Sequence, residues 1–362
     1  MIIIVMVIIV MMLAAYQSIT TVRYDHYRGR ISSAYCHIAG TANIPKEPVI
    51  FVPGIKGSTL EENGKKVWLK LTQVLHNTTG LFYSRNGQAI HATGIFDRIT
   101  LIPFFLEYRP YYRIAAQLAC APHGYLFWYD WRAHGQTNAD AFAKLVDRVI
   151  SETGEKPSVI AHSMGGLVAH SVVKEHPEKF NKIVYVTVPF NPGVGYMDDL
   201  TDGAPTGLNR TLMSKEAAFS QPSSFLLLPH KGTGRYRGKE LMDANIWKQE
   251  RLSVFADDAP VDMVAFQKTL DATIAYHAKL DALKTLPNKF LFIVGNKYPV
   301  IFGKKEDGTP SMVPGDGRVA EVAAFPTDTI PNKKIVVTAV KHGGQLNDKT
   351  AVNEIFNFLS HE

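Results

Sequence analysis

The serine at position 163 lies among small residues that restrict how the chain can fold around it. The hexapeptide Ala161-His162-Ser163-Met164-Gly165-Gly166 follows the apolar run 158–160 and precedes a helix-like stretch. Small residues two positions before and after a serine, between a strand and a helix, are typical of a nucleophile elbow, which lifts the hydroxyl into a cleft. Such a turn also directs the backbone N–H of Met164 toward a forming oxyanion. The sequence therefore predicts Ser163 as a nucleophile; a tight turn with an incidental serine is the alternative.

A carboxylate and a histidine follow the serine in the order that an acid–imidazole–serine relay requires. Residues 289–295 read as a buried strand, and the loop after it carries Asp316. Residues 334–340 read as a last strand, followed at once by His342. We expect His342 to accept the proton of the serine and Asp316 to orient the imidazole. Asp307, in the same loop, is the rival acid.

A second oxyanion donor is expected in the loop after an early strand. Residues 48–52 read as that strand, and Pro53-Gly54-Ile55-Lys56-Gly57-Ser58 follow it. The glycines allow the backbone to approach the serine closely. We expect the backbone N–H of Ile55 to be the donor. A plain Pro-Gly turn that ends a strand would give the same pattern.

Strands alternate with helical stretches, and this alternation predicts an α/β fold with a mostly parallel, doubly wound sheet. The expected strands are 48–52, 124–130, 157–162, 182–190, 289–294 and 334–340. A length of 362 residues and an apolar fraction of 46% suit one large domain, which we place at 44–362. Two long insertions are expected, at 57–122 and at 191–260, and the second is predicted to form a cap over the serine.

The predicted cap contains a short apolar run with two possible roles. Phe225, Leu226, Leu227 and Leu228 are consecutive. They are candidates for lining an acyl-chain cavity. Packing of the cap onto the core is the alternative.

Several short motifs are spread along the chain. They are Phe51-Val52-Pro53-Gly54-Ile55, Val67-Trp68-Leu69-Lys70-Leu71, Tyr129-Asp130-Trp131-Arg132, the serine hexapeptide, Gln221-Pro222-Ser223 and Gly315-Asp316-Gly317-Arg318-Val319. In sequence and in order these motifs resemble those of the lecithin:cholesterol acyltransferase family, which includes lysosomal phospholipase A2 and phospholipid:diacylglycerol acyltransferase.

The resemblance implies an α/β-hydrolase fold, a Ser163–Asp316–His342 triad, and Ile55 and Met164 as oxyanion donors. It favours Asp316 over Asp307. Arg318 departs from the family, which usually has a small hydroxyl residue at that position. The departure leaves the substrate open.

The first twenty residues form a separate segment. Residues 1–15 are all apolar, and arginines follow only after the run. Such a segment is short for a membrane-spanning helix, and it lacks the basic start of a signal peptide. We expect residues 1–20 to be a membrane anchor or a signal, so that the protein is membrane-associated or exported. The side of the membrane stays open.

Charge and cysteine content narrow the range of ligands. The net charge of +6 is dispersed, and there is no basic stripe with base-stacking residues, so nucleic acid is not an expected partner. Cys36 and Cys120 lack metal or redox spacing, so we expect no metal, although they could form one disulfide. No cofactor is expected, and no protein partner can be inferred.

These patterns together predict a serine-dependent lipid acyl hydrolase or O-acyltransferase. Its substrate would be a phospholipid or neutral lipid ester, met at a membrane or lipid interface. The acyl group would pass through an acyl-enzyme to water or an alcohol. A non-lipid carboxylesterase is one alternative. A catalytically silent, membrane-tethered lipid-binding protein is another.

Overall fold

The computed structural model describes residues 44–83, 90–102 and 106–361. In chain order the strands are β1 Val49–Val52, β2 Ser58–Glu62, β3 Lys65–Trp68, β4 Ile90–Ile95, β5 Ile99–Ile102, β6 Leu106–Tyr108, β7 Gly124–Leu126, β8 Ser158–His162, β9 Lys182–Val186, β10 Lys289–Gly295, β11 Tyr298–Lys304, β12 Pro310–Gly315 and β13 Lys333–Thr338. The α-helices are α1 Leu71–Leu75, α2 Tyr112–Cys120, α3 Gly135–Thr153, α4 Met164–Glu175, α5 Met197–Thr201, α6 Lys215–Ser220, α7 Pro222–Leu226, α8 Ala244–Gln249, α9 Met263–Asp281 and α10 Lys349–His361.

Six strands form one parallel sheet in the order β13-β10-β9-β8-β1-β7. Each of the six predicted strands is one of these strands. Three of them end earlier than expected, β7 at Leu126, β9 at Val186 and β13 at Thr338. The predicted α/β fold with a doubly wound sheet is therefore confirmed. Because β8 lies near the centre of the sheet, its carboxyl end presents Ser163 between the loops of neighbouring strands.

Both faces of the sheet are covered, which explains the continuous apolar runs of the strands. Side chains alternate along a strand, and in β1 Ile50 and Val52 join the hydrophobic cluster under α3 and α4. Val49 and Phe51 join the cluster under α2 and α10. All four β1 side chains are fully buried. Helices on both faces thus hold β1 and the loop that follows it.

The two long insertions have secondary structure of their own. Residues 57–122 contain an antiparallel sheet in the order β3-β2-β4, the β5–β6 pair and helix α2. Cys120, at the end of α2, is disulfide-bonded. Residues 191–260 contain α5 to α8 and share a third hydrophobic cluster, in which Trp247 and Phe225 are fully buried. The division into a hydrolase domain and a functional cap stays a prediction.

The expected membrane attachment through an apolar segment is corrected by the structure. Within the described ranges, no helix combines the length and the apolar character that a bilayer crossing requires. Residues 1–20, to which that expectation referred, lie outside the described residues.

Candidate active site

Ser163 joins β8 to α4 in a strained backbone conformation. Its φ is 53° and its ψ is −133°, a region that residues with a side chain rarely occupy. Small neighbours make the turn possible. A Cβ on Gly165 would lie 2.1 Å from the Pro53 carbonyl oxygen, and a Cβ on Gly54 would lie 2.8 Å from the Cβ of Ser163. The strand, turn and helix therefore have the geometry expected of the hexapeptide.

Three side chains that are far apart in sequence form a hydrogen-bonded chain. Nε2 of His342 lies 2.9 Å from Oγ of Ser163, and Nδ1 of His342 lies 2.7 Å from Oδ2 of Asp316. His342 follows β13 of the six-stranded sheet, and Asp316 follows β12, which pairs with β11 in a separate two-stranded sheet. Both loops lie at the end of β8, where their side chains meet Ser163. The structure therefore brings together the three residues predicted from sequence.

Asp316 is held as a carboxylate by its surroundings. Its side chain is fully buried, and burial alone would raise the pKa of the carboxyl group. The charge and the hydrogen bond of His342, with two backbone donors, outweigh burial and bring the pKa of Asp316 below its usual value. Those donors are the N–H groups of Arg318 and Val319, at 2.9 and 2.7 Å from Oδ1. An ionised Asp316 fixes the proton of His342 on Nδ1 and leaves Nε2 free to accept from the serine.

The rival acid, Asp307, lies elsewhere. It is exposed in the turn between β11 and β12, where its Oδ1 accepts a hydrogen bond of 2.8 Å from the N–H of Thr309. This contact is an ordinary turn interaction of aspartate. The structure thus shows which of the two loop acids contacts His342, a choice that the residues alone left open.

The two predicted oxyanion donors flank the serine. Met164 is the first residue of α4, and the first N–H groups of a helix have no acceptor within the helix. Ile55 follows Gly54, which packs closely against Ser163, and it lines the cavity above Ser163. Both backbone N–H groups are near enough to Ser163 in the chain fold to be candidates for donating hydrogen bonds to an oxyanion. Their role stays a prediction.

Two tyrosines that the sequence analysis did not single out hold the Ile55 loop in place. The Tyr111 hydroxyl accepts a hydrogen bond of 3.0 Å from the N–H of Gly54 and shares one of 2.9 Å with Nδ1 of His162. The Tyr129 hydroxyl donates to the carbonyl of Pro53 at 2.8 Å. Tyr129 belongs to the Tyr-Asp-Trp-Arg motif, whereas nothing in the local sequence marks Tyr111.

His162, next to Ser163 in the chain, is a buried, neutral side chain of the elbow. Burial, and secondly the neighbouring His342, lower the pKa of His162 to about 3. The rings of His162 and His342 lie 4.8 Å apart. Because His162 stays uncharged, it does not compete electrostatically with the imidazolium that a relay would form on His342.

A cavity of about 590 Å³ lies above Ser163 and His342. Most of its walls are apolar and come from the two insertions. Residues that line the cavity include Ile55, Trp68, Leu69, Val74, Phe96, Ile99, Tyr108, Tyr196, Ala204, Pro205 and Leu227. Its size and character suit an apolar ligand that reaches the serine hydroxyl.

The predicted lipid-binding run 225–228 is largely elsewhere. Leu227 lines the cavity. Phe225 and Leu228 belong to the third hydrophobic cluster, and Leu226 belongs to the main one. Three of the four side chains therefore pack the fold, and the residues above replace them as the cavity wall.

The Tyr-Asp-Trp-Arg motif makes polar contacts of its own. Arg132 is buried and donates to both carboxylate oxygens of Asp130 and to the carbonyl of Phe82, so it serves as a structural link. Within the described residues, no group of three or more His, Cys, Asp or Glu side chains is arranged to hold a metal ion.

The relationship to known proteins agrees with this geometry. The model of the alpha/beta hydrolase family matches residues 101–354, well over half of the chain. The chain belongs to the alpha/beta hydrolase family. The match includes the serine, the acid and the histidine described above, while the Ile55 loop precedes it.

Two curated relatives match part of this chain. Uncharacterized protein YJR098C of Saccharomyces cerevisiae is 26% identical in an alignment of 255 residues that covers 64% of this chain and 37% of that protein. Lecithin-cholesterol acyltransferase-like 4 of Arabidopsis thaliana is 28% identical in an alignment of 188 residues that covers 41% of this chain and 35% of that protein. The chain thus spans little more than a third of the length of these relatives.

Solved structures with a similar course of the chain include lipases. The chain resembles Bacillus licheniformis lipase BlEst2 with a TM-score of 0.40 and 12% identity, over 88% of this chain and 93% of that chain. It resembles Aspergillus fumigatus lipase B with a TM-score of 0.42 and 13% identity, over 88% and 53%. At these TM-scores the family assignment rests on the family model.

Proposed function

We propose that the protein is a serine-dependent lipid acyl hydrolase of the lecithin:cholesterol acyltransferase type. The observation that carries the proposal is the hydrogen-bonded chain from Ser163 through His342 to Asp316 at the floor of a mostly apolar cavity. The partial similarity to the Arabidopsis protein supports the type. The substrate is an ester of a phospholipid or a neutral lipid.

Acylation begins when Oγ of Ser163 attacks the ester carbonyl carbon while its proton passes to Nε2 of His342. The carbonyl oxygen becomes an oxyanion and accepts hydrogen bonds from the N–H groups of Ile55 and Met164. The tetrahedral intermediate then expels the alcohol, which takes the proton from His342. An acyl ester on Ser163 remains, and Asp316 has steadied the imidazolium throughout.

Deacylation repeats these steps with a new nucleophile. His342 removes a proton from water, and the hydroxide oxygen attacks the carbonyl carbon of the acyl ester. The proton then passes from His342 to Oγ of Ser163 as the free carboxylic acid leaves. An alcohol that enters the cavity in place of water gives a new ester by the same route. Hydrolysis and acyl transfer therefore differ only in the acceptor.

Covalent labelling tests the nucleophile. A fluorophosphonate should modify Ser163 in the purified protein, and Ser163→Ala should abolish labelling and lower ester cleavage by at least roughly a thousandfold. Ser171→Ala, a buried serine two turns further along α4, is the matched control and should be labelled normally. Labelling that persists in Ser163→Ala would refute the proposed mechanism.

The choice of acceptor is measured by product partition. With a radiolabelled phospholipid in water we expect free fatty acid, and with a long-chain alcohol present we expect some acylated alcohol. Absence of acylated product over a range of alcohols would restrict the protein to hydrolysis. Negligible fatty acid would make it a dedicated acyltransferase.

A further inference from the structure

Thr187, directly after β9, has a backbone conformation that a threonine rarely adopts. Its φ is 44°. Positive φ values are uncommon for residues with a side chain and are outliers for β-branched residues, because the branched Cβ crowds the backbone. Thr187 is also almost fully buried. A strained residue persists in a fold only when its surroundings impose the conformation, and such residues cluster at functional sites.

The surroundings fix the chain on both sides of Thr187. The carbonyl of Val186 accepts the backbone N–H of Ser163 at 3.0 Å, and the N–H of Thr187 donates to a carbonyl of β10 at 2.9 Å. Val188 packs against α4, where a Cβ on Gly166 would lie 2.1 Å from Cγ2 of Val188. Three consecutive residues therefore contact either the elbow or the neighbouring strand, and the middle one takes the strained conformation.

The Thr187 side chain reaches the relay. Its Oγ1 lies 3.2 Å from Nδ1 of His342. The same nitrogen lies 2.7 Å from Oδ2 of Asp316, the carboxylate that holds the Nδ1 proton. Because a ring nitrogen carries one hydrogen at most, the Thr187 hydroxyl is a second acceptor of that N–H. Hydrogen bonds that share one N–H between two acceptors are known in proteins.

A second acceptor restricts the imidazole more than the carboxylate does alone. One hydrogen bond leaves the ring free to tilt about the line from Nδ1 to the carboxylate oxygen. Tilting moves Nε2, at the other side of the ring, relative to Oγ of Ser163, and proton transfer depends on that geometry. When His342 becomes an imidazolium, both hydrogen bonds from Nδ1 become charge-assisted and therefore stronger.

We propose that Thr187 is a positioning residue of the relay. Its hydroxyl is held in place by the strained turn, limits the tilt of the His342 ring and stabilises the imidazolium that forms during the reaction. This inference rests on the proposed function, since that function makes His342 the base. A threonine that only fills space beside the relay is the alternative, and it differs in what a change of the side chain should do.

Substitutions at Thr187 separate the hydroxyl from the volume of the side chain. Thr187→Val keeps the branched shape, and Thr187→Ser keeps the hydroxyl. With a soluble chromogenic ester, Thr187→Val should lower kcat roughly tenfold at unchanged KM, the effect of losing one hydrogen bond to a charged group. Thr187→Ser should keep most of the native kcat. Native kcat in Thr187→Val, or an equal loss in both variants, would overturn the proposal.

A matched control is a buried threonine whose hydroxyl is also hydrogen-bonded. Thr273 on α9 is 4% exposed, against 2% for Thr187, and its hydroxyl donates to the carbonyl of Thr269 at 3.1 Å. Thr273→Val should keep the native kcat. Urea denaturation shows whether each variant folds. If Thr187→Val does not fold, the comparison of Thr187→Ala with Thr187→Ser replaces it and should give the same contrast.

The effect of Thr187 should depend on the rest of the relay. In Asp316→Asn the imidazole has already lost the carboxylate that orients it. Adding Thr187→Val to Asp316→Asn should therefore change kcat by less than about twofold, because residues that act as a unit are not additive. A further loss of about tenfold would show that Thr187 acts outside the relay and would overturn the proposal.

A spectroscopic readout keeps the test independent of catalysis. With isotope-labelled histidine in Ser163→Ala, the Nδ1–H of His342 should give a downfield proton resonance, assigned by its loss on adding His342→Gln. Adding Thr187→Val should move this resonance, and adding Thr273→Val should not. If no ester is cleaved but the resonance moves, the proposed function fails and the contact stands. If esters are cleaved but neither kcat nor the resonance responds to Thr187→Val, the positioning role fails alone.

Discussion

Each of the three relay residues owes its position to a different local interaction. The strained backbone of Ser163 is stabilised by close contacts that leave no room for a larger residue at Gly54 or Gly165. Asp316 is fixed by the backbone donors of its own turn. His342 donates its backbone N–H to the Asp316 carbonyl at 3.0 Å, so its ring and its main chain meet the same residue.

The two loop acids are expected to differ sharply on mutation. Asp316→Asn should lower kcat by roughly ten-thousandfold, because an amide cannot hold the imidazole of His342 in the required tautomer. Asp307→Asn is the matched change in an exposed turn and should leave kcat almost unchanged. Steady-state kinetics on a soluble ester, with circular dichroism to confirm folding, measures both. The opposite order of effects would show that Asp316 is not the relay acid.

These residues could be predicted because the succession of strands along the chain and the chemistry of each turn can be read from short stretches of sequence. The sequence could not choose between Asp307 and Asp316 from turn chemistry, since both precede glycine. The choice depends on β11 and β12, which pair with each other and expose Asp307 while they bring Asp316 back to the sheet. Likewise, nothing local predicts that Tyr111 reaches Gly54 across 57 positions.

At the scale of whole elements, an apolar run in the sequence does not show whether its side chains pack a core or line a cavity. The run 225–228 was a candidate for the cavity wall with packing as the alternative, and three of its four side chains lie in hydrophobic clusters. Apolar side chains that pack a core and those that face a cavity have the same composition. The cavity wall instead comes from short, unconnected pieces such as Trp68, Phe96 and Tyr196. Their convergence depends on how the insertions fold over the sheet, which sequence periodicity does not describe.

A buried polar cluster joins α4, the helix that follows Ser163, to two other segments. On α4, Lys174 donates to the carbonyl of Leu280 at 2.7 Å and to Oδ1 of Asp328 at 2.9 Å. Nε2 of His170, one turn earlier, lies 2.8 Å from Oδ2 of Asp328. These side chains are almost fully buried. The cluster thus holds the end of α9 and the loop near 328 against α4.

Removing the shared carboxylate should destabilise the protein strongly. Asp328→Ala leaves the buried Lys174 ammonium without its counter-charge, so the free energy of unfolding should fall by about 3–5 kcal/mol. Asp147→Ala removes the carboxylate of a surface pair with Lys179 and should cost less than about 1 kcal/mol. Urea denaturation followed by fluorescence measures both variants. Similar small losses in the two would contradict the structural role of the cluster.

Across the whole molecule, buried neutral histidines make folding depend on pH. Burial, with neighbouring histidines as the second cause, lowers the pKa of both His162 and His277 to about 3. In the unfolded chain these imidazole groups have a pKa of about 6.5. Between these values the unfolded chain binds protons that the native protein does not. Stability is therefore lost as the pH falls from about 6.5 towards 3, by about 1.4 kcal/mol per pH unit for each such histidine.

The contribution of His277 can be isolated. Its Nε2 donates to the carbonyl of Leu226, and its ring stacks on His230 at 3.9 Å, which in turn pairs with Asp281. His277→Gln keeps a donor but cannot titrate, so the slope of unfolding free energy against pH between 4.5 and 6 should decrease by about 1.4 kcal/mol per unit. His176→Gln changes an exposed histidine and serves as the control. An unaltered slope in His277→Gln would refute the assignment.

The spacing of the relay along the chain has a consequence for biosynthesis. Ser163 and His342 are 179 positions apart, and His342 reaches the serine only after β13 has paired with β10. A ribosome adds roughly 5–20 residues per second, so about 10–40 s separate the synthesis of the two residues. During that interval the serine lacks the imidazole that the proposed mechanism assigns to it as a base. The proposed ester cleavage therefore becomes possible only after β13 and His342 have been synthesised and have folded onto the sheet.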